Sequence, residues 1–303
     1  MAKQAREPVL SVSVEDIKID APNNWTLSAT LFTNANSQPD APVVLVSTAA
    51  GAPRGFYSNF AHYLVDAGAH SVMTYDYRGM GDSSSPRKRW NELRMKDWGL
   101  LDFPAAAQAL QSMHPDRPLL GLGHSYGGQA LGLSGISDQF ERYATVATMS
   151  GYWRHLSTPK SVWFQTQIVG MSAVRLLGRV PGSFGLGETF PGTIFRDWSR
   201  WIADPDYFFK DAELPETSRF SEVTLPLLSI GLTDDPWANK RAIGSFMKHY
   251  TNADFHQVWV EPGDSGPIGH LGYFRQRHRE SHWSIARDFL LKGTIPEHAA
   301  TTV

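Results

Sequence analysis

The chain has 303 residues, 42% of them apolar and 19% charged, enough to bury a sizeable core in one large domain or two small ones. A formal net charge of -2 offers no electrostatic case for nucleic acid or an anionic membrane surface as partner, and no stretch nears the roughly 20 apolar residues of a membrane helix. The absence of cysteine excludes disulfides, thiolate metal sites and a cysteine nucleophile. The opening residues, Met1 to Pro8, carry charges with no apolar run behind them, so no secretory signal is expected and the expected location is cytoplasmic. In chain order, Val9 to Ile19 and Trp25 to Phe32 alternate apolar and polar residues and predict two strands, with a hairpin-like turn at Ala21 to Asn24. Asn34 to Pro42 reads as a loop, and the continuous apolar run Val43 to Val46 reads as a buried parallel strand. Phe56 to Asp66 has helical spacing, with Phe56, Phe60, Leu64 and Val65 on one side. A strand at Ser71 to Tyr75, a helix at Leu100 to Met113, a strand at Leu119 to Leu122, a helix from Gln129 and a strand at Ala144 to Met149 follow. This alternation predicts an α/β fold, a mostly parallel sheet with helices on both faces.

The rhythm breaks near Gly151. From there to about Arg219 the chain is aromatic, irregular and rich in glycine and proline, and strand grammar resumes at Leu225 to Ile230. A helix (about Ala238 to His249), a strand (Phe255 to Val260) and a last helix (about Arg277 to Leu291) complete the pattern. The expected organisation is one core built from residues 1–150 and 220–303, with an inserted, mainly helical cap over 151–219.

The pentapeptide Gly123-His124-Ser125-Tyr126-Gly127 sits where an apolar strand gives way to a helix of small residues. A serine on such a tight turn is held in a strained conformation that lifts its hydroxyl clear of the sheet. The helix behind it aims free N–H groups at the place where an oxyanion would develop. Ser125 is the candidate nucleophile. Such a serine needs a base, and the base needs a carboxylate to fix its tautomer. Two later loops can supply them, Gly231-Leu232-Thr233-Asp234-Asp235-Pro236-Trp237 and the stretch from Glu261 to Gly272 that contains Gly269-His270-Leu271-Gly272.

With these loops in the order serine, acid, histidine, the chain resembles the α/β-hydrolase-fold serine hydrolases over nearly all of its length outside the cap. Tyr75 to Ser83 also matches the D-x-R-G-x-G-x-S loop of that family. The resemblance implies a triad of Ser125, His270 and one of the adjacent aspartates. Alignment on Asp-Pro favours Asp235, counting three residues on from Gly231 favours Asp234, and Asp235 is preferred. The amide of Tyr126 is the implied first oxyanion donor. The second comes from the loop after Val46, where Ser47-Thr48-Ala49-Ala50 replaces the usual His-Gly, and Ala50 is preferred over Ala49. Trp153 and Trp237 are the candidate substrate contacts, with Trp163, Trp198 and Trp201 as further pocket liners.

The expected activity is hydrolysis of a carboxylic ester or related acyl substrate, a small molecule, with no cofactor or metal required. Acyl transfer through the same triad and a non-catalytic small-molecule receptor are the alternatives. Other features read more plainly. His124 reads as packing, Asp264 as a fallback acid and the Asp76 to Ser83 loop as architecture. Arg87, Lys88, Arg89 and Arg94 read as a solvated basic surface. His256 falls inside a strand, and His278 and His282 read as a solvated helix face whose spacing suits a metal pair without a third ligand.

Overall fold

The computed structural model describes residues 12–84 and 86–295. The readings made for Met1 to Pro8 and for the start of the first strand, Val9 to Ser11, lie outside those residues.

Strands β1 (Val12–Ala21) and β2 (Trp25–Asn34) pair antiparallel across a three-residue turn, with Asn23 and Asn24 in the left-handed region at φ 66° and 55°. Short polar side chains tolerate that conformation, so the turn sets the register. β3 (Val43–Ser47), β4 (Ser71–Tyr75) and β5 (Leu119–His124) are buried along their whole length, as a parallel strand covered on both faces must be. β6 (Arg142–Val146) follows. β7 (Arg179–Val180) and β8 (Phe190–Pro191) form a separate two-residue ribbon, and β9 (Pro226–Leu232) and β10 (Asp254–Val260) return to the main sheet. The eight-stranded sheet runs β1-β2-β4-β3-β5-β6-β9-β10, antiparallel as far as the β2–β4 pair and parallel beyond it.

Crossover helices α1 (Ser58–Asp66), α2 (Phe103–Met113) and α3 (Tyr126–Ser134) cover the first half of the sheet. Phe60, Leu64 and Val65 on α1 are buried, as the spacing predicts. α3 is buried all round and starts three residues before the expected Gln129, directly behind Ser125. Between β6 and β9 lie α4 (Pro159–Trp163), α5 (Met171–Leu177) and α6 (Gly192–Ala203). A wider helical turn over Phe164–Gly170 joins α4 to α5, so residues 159–177 form one continuous helical run. The last part carries α7 (Lys240–Met247), the single turn α8 (Gly269–Gly272) and α9 (Arg279–Lys292). Because β3, β5, β9 and β10 are parallel neighbours or near neighbours, the loops leaving them share one edge of the sheet, where open α/β sheets place their sites.

Candidate active site

Ser125 occupies the turn between β5 and α3 at φ 52° and ψ -111°, a region that costs a non-glycine residue on the order of 1–3 kcal/mol. The surrounding chain holds it there. Its N–H donates to Val146 O at 2.8 Å, and Thr148 Oγ1 donates to its carbonyl at 2.9 Å. The flanking glycines are required by close approach. A Cβ at Gly123 would lie 2.3 Å from Gly127 C, and one at Gly127 would lie 2.2 Å from Ser47 O. The strand-to-helix turn closes only because both positions lack a side chain.

His270 lies in the short turn α8, which follows β10, and presents both ring nitrogens to partners. Nε2 lies 3.0 Å from Ser125 Oγ and Nδ1 lies 2.7 Å from Asp235 Oδ2. Asp235 is buried, and its other oxygen accepts the amides of Trp237 at 2.7 Å and Ala238 at 3.0 Å. Burial pushes the Asp235 carboxyl up, but the facing His270 charge and the hydrogen bonds from His270, Ala238 and Trp237 together hold it below the ordinary carboxylate value. Asp234 does different work. Its carboxylate accepts the amides of Ile268 at 2.8 Å and Gly269 at 3.0 Å, fastening the backbone of the histidine loop. The two adjacent aspartates therefore hold two parts of one loop. Asp264 is exposed, and the Nδ1 it would need is taken by Asp235.

His124 carries more than packing. Nε2–H donates to the His270 carbonyl at 2.9 Å, Nδ1 accepts from Tyr57 Oη at 2.7 Å, and Tyr57 Oη in turn accepts the Ala49 amide at 2.9 Å. A single line of hydrogen bonds thus links the loop after β3, the residue before Ser125 and the backbone of His270. Burial, followed by the nearby His270, lowers the His124 pKa to about 3, so this imidazole is neutral. The line commits the Ala49 N–H to Tyr57. Ala50, together with Tyr126, lines the cavity above Ser125.

That cavity is about 170 Å³ and is walled by Met95, Met149, Leu186, Trp198, Tyr207 and Trp237, with Gln129 also lining it. Trp198 stacks between Phe190 and Trp237, with ring centroids 5.9 and 6.0 Å away. The other candidate tryptophans lie elsewhere. Trp153 does not line the cavity: its position on the turn Trp153–His155 sets it beside Tyr152 and Trp163, with the Arg154 guanidinium 4.9 Å over its ring. Trp163 is exposed, and Trp201 is buried with its Nε1–H on Asp211. Met95, Met149, Leu186, Gln129 and Tyr207 carry no sequence motif, and only the fold brings them to the serine.

The loop after β4 is architectural, as its residue types imply. Asp76 is buried and accepts the Arg54 amide and guanidinium, each at 2.7 Å, while Arg78 pairs with the buried Asp102 at 2.7 Å. Three expectations need correcting. Arg94 is not simply solvated, because its guanidinium forks onto Asp197 of α6. Arg89 lies 4.1 Å over the Trp25 ring. His278, just before α9, and His282, on α9, are buried rather than solvated and stack 5.4 Å apart, with His278 Nδ1 on Ser265 Oγ. Among the described residues no group of three or more His, Cys, Asp or Glu side chains is placed to hold a metal ion, and no helix is long and apolar enough to cross a membrane.

The sequence model of the alpha/beta hydrolase family matches residues 43–280. No curated protein shows significant sequence similarity to the chain. Among solved structures, the fold is similar to an esterase of Pyrococcus furiosus, with a TM-score of 0.60 and 16% identity over 95% of this chain and 94% of that one. It is also similar to the peroxisomal alpha-beta-hydrolase Lpx1 of Saccharomyces cerevisiae (TM-score 0.57, 11% identity, 98% and 94% of the two chains). Est1E of Butyrivibrio proteoclasticus gives a TM-score of 0.56 at 14% identity over 90% of this chain and 96% of that one.

Proposed function

This chain belongs to the alpha/beta hydrolase family, and on that premise we propose that it is a serine hydrolase acting on a carboxylic ester or related acyl compound. The observation that carries the reading is the unbroken line from Ser125 Oγ through the His270 imidazole to the buried Asp235 carboxylate. In this reading His270 Nε2 takes the hydroxyl proton as Ser125 Oγ attacks the acyl carbon. The imidazolium that forms is steadied by Asp235, which two backbone amides keep oriented and ionised. The tetrahedral oxyanion is held by the amides of Tyr126 and Ala50, each such donor being worth about 10²–10³ in rate. His270 then returns the proton to the leaving alcohol, and water repeats the sequence on the acyl-enzyme, freeing the acid and restoring Ser125.

The test uses a soluble aryl ester and a fluorophosphonate probe. Ser125→Ala should lower kcat by about 10⁴ or more and abolish labelling while leaving the thermal transition in place. Undiminished turnover in that variant, or an unlabelled wild-type protein, would overturn the proposal.

A further inference from the structure

The near-neutral net charge hides an uneven distribution. From residue 142 to 187 the sequence has no Asp or Glu, and the stretch beyond β6 carries Arg154, Lys160, Arg175 and Arg179. None of these four makes a salt bridge among the described residues, and Arg154, Lys160 and Arg175 are exposed. The same stretch exposes apolar surface. Of ten large apolar side chains exposed among the described residues, seven lie between positions 163 and 184. They include Trp163, Phe164, Ile168, Leu176, Leu177 and Phe184, with Phe164 54% and Leu176 84% exposed.

The helical run 159–177 organises this surface. Its inner side is seated on the cap: Val162, Thr166, Gly170, Ala173 and Val174 are buried, and a Cβ at Gly170 would strike the Phe195 ring of α6 at 2.3 Å. On its outer side Phe164, Ile168 and Leu176 recur at helical spacing, where a helix facing only water would carry charge. Cations stand near either end, with Lys160 in the first turn and Arg175 in the last.

We propose that this outer face of the cap docks, in the plane of the surface, on an anionic lipid bilayer. Aromatic and aliphatic side chains flanked by unpaired cations are the makings of an interfacial helix, the former entering the headgroup region and the latter meeting lipid phosphates. Charge decides against the obvious rival. A second copy docked through the same face would bring Lys160 and Arg175 against the same cations, with no acid between residues 142 and 187 to pair them, which a symmetric interface does not tolerate without counter-charges. The inference is independent of the proposed chemistry, because it concerns binding alone.

The experiment is co-sedimentation of the full chain with vesicles of phosphatidylcholine and of an equal mixture with phosphatidylglycerol. The wild-type protein should partition onto the mixed vesicles and be released by high salt. Lys160→Glu with Arg175→Glu should weaken partitioning by about thirtyfold or more, at the usual contribution of a cation near such a surface. Phe164→Ser with Leu176→Ser should weaken it at least about tenfold. Both pairs are exposed and outside the cavity, so turnover of a soluble ester and the thermal transition should stay unchanged. Equal partitioning onto both vesicle types, none onto either, or indifference to these substitutions would overturn the proposal. So would sedimentation equilibrium showing a dimer that Leu176→Ser dissolves.

Discussion

At the scale of single residues, the site divides its labour between neighbours in the chain. Asp235 faces the imidazole while Asp234 fastens the loop that carries it, and His124 holds the His270 carbonyl. His124 has a consequence for pH. Its pKa falls from an ordinary value near 6.5 in the unfolded chain to about 3 in the fold, so between those values the unfolded chain binds the extra proton. The stabilisation is present in full above pH about 6.5 and is lost on acidification toward pH about 3, at about 1.4 kcal/mol per unit. Between pH 7 and 5 the wild-type protein should lose about 2 kcal/mol that His124→Asn does not lose, measured by urea unfolding. Equal losses in the two proteins would remove His124 from this account. The chain order of Ser125, Asp235 and His270 was legible because each follows a recognisable strand. The bond from His124 was not, since Tyr57 reaches it from 67 residues away and no local pattern announces the contact.

Elements behave similarly. The interior strands were legible because a strand buried on both faces must be an unbroken apolar run, as in Val43 to Val46. Their ends were not. A strand over Ala144 to Met149 was expected, yet β6 stops at Val146, where Ala147 takes φ 52° and turns the chain so that Thr148 Oγ1 reaches the Ser125 carbonyl. The apolar character of the segment persists, but Ala147 keeps its bond to Ile230 of β9 while the Thr148 side chain turns to the serine. His278 and His282 misled for a related reason. Flanking Arg275, Arg277, Arg279 and Glu280 suggest a wet helix, but periodicity places these two on the buried side of the turn entering α9. The strand-to-helix junction also tolerates little change. Gly127→Ala should destabilise the protein by about 3 kcal/mol through its clash with the Ser47 carbonyl, read as a lower urea midpoint at unchanged m. A midpoint within experimental error of the wild type would show that β3 and α3 can part without cost.

Across the whole molecule, loops of the sheet and the segment between β6 and β9 meet at the cavity. Arg94, in the segment before α2, grips Asp197 of α6, and α6 also supplies Trp198 to the wall. A parallel core was legible from its periodicity, whereas the wall was not, because side chains from residues 50 to 271 converge only through the tertiary fold. The cavity, about 170 Å³ and partly open to solvent, is below the roughly 300–1,000 Å³ of a typical drug-sized site. On the proposed function, those walls set a limit on acyl length. Along a homologous series of aryl alkanoates, kcat/KM should climb with chain length, reach a breakpoint and drop beyond it, once the acyl group outgrows the walls. Trp198→Ala should move that breakpoint toward longer chains, and a rate that rises steadily through decanoate would mean the walls yield to length rather than measure it.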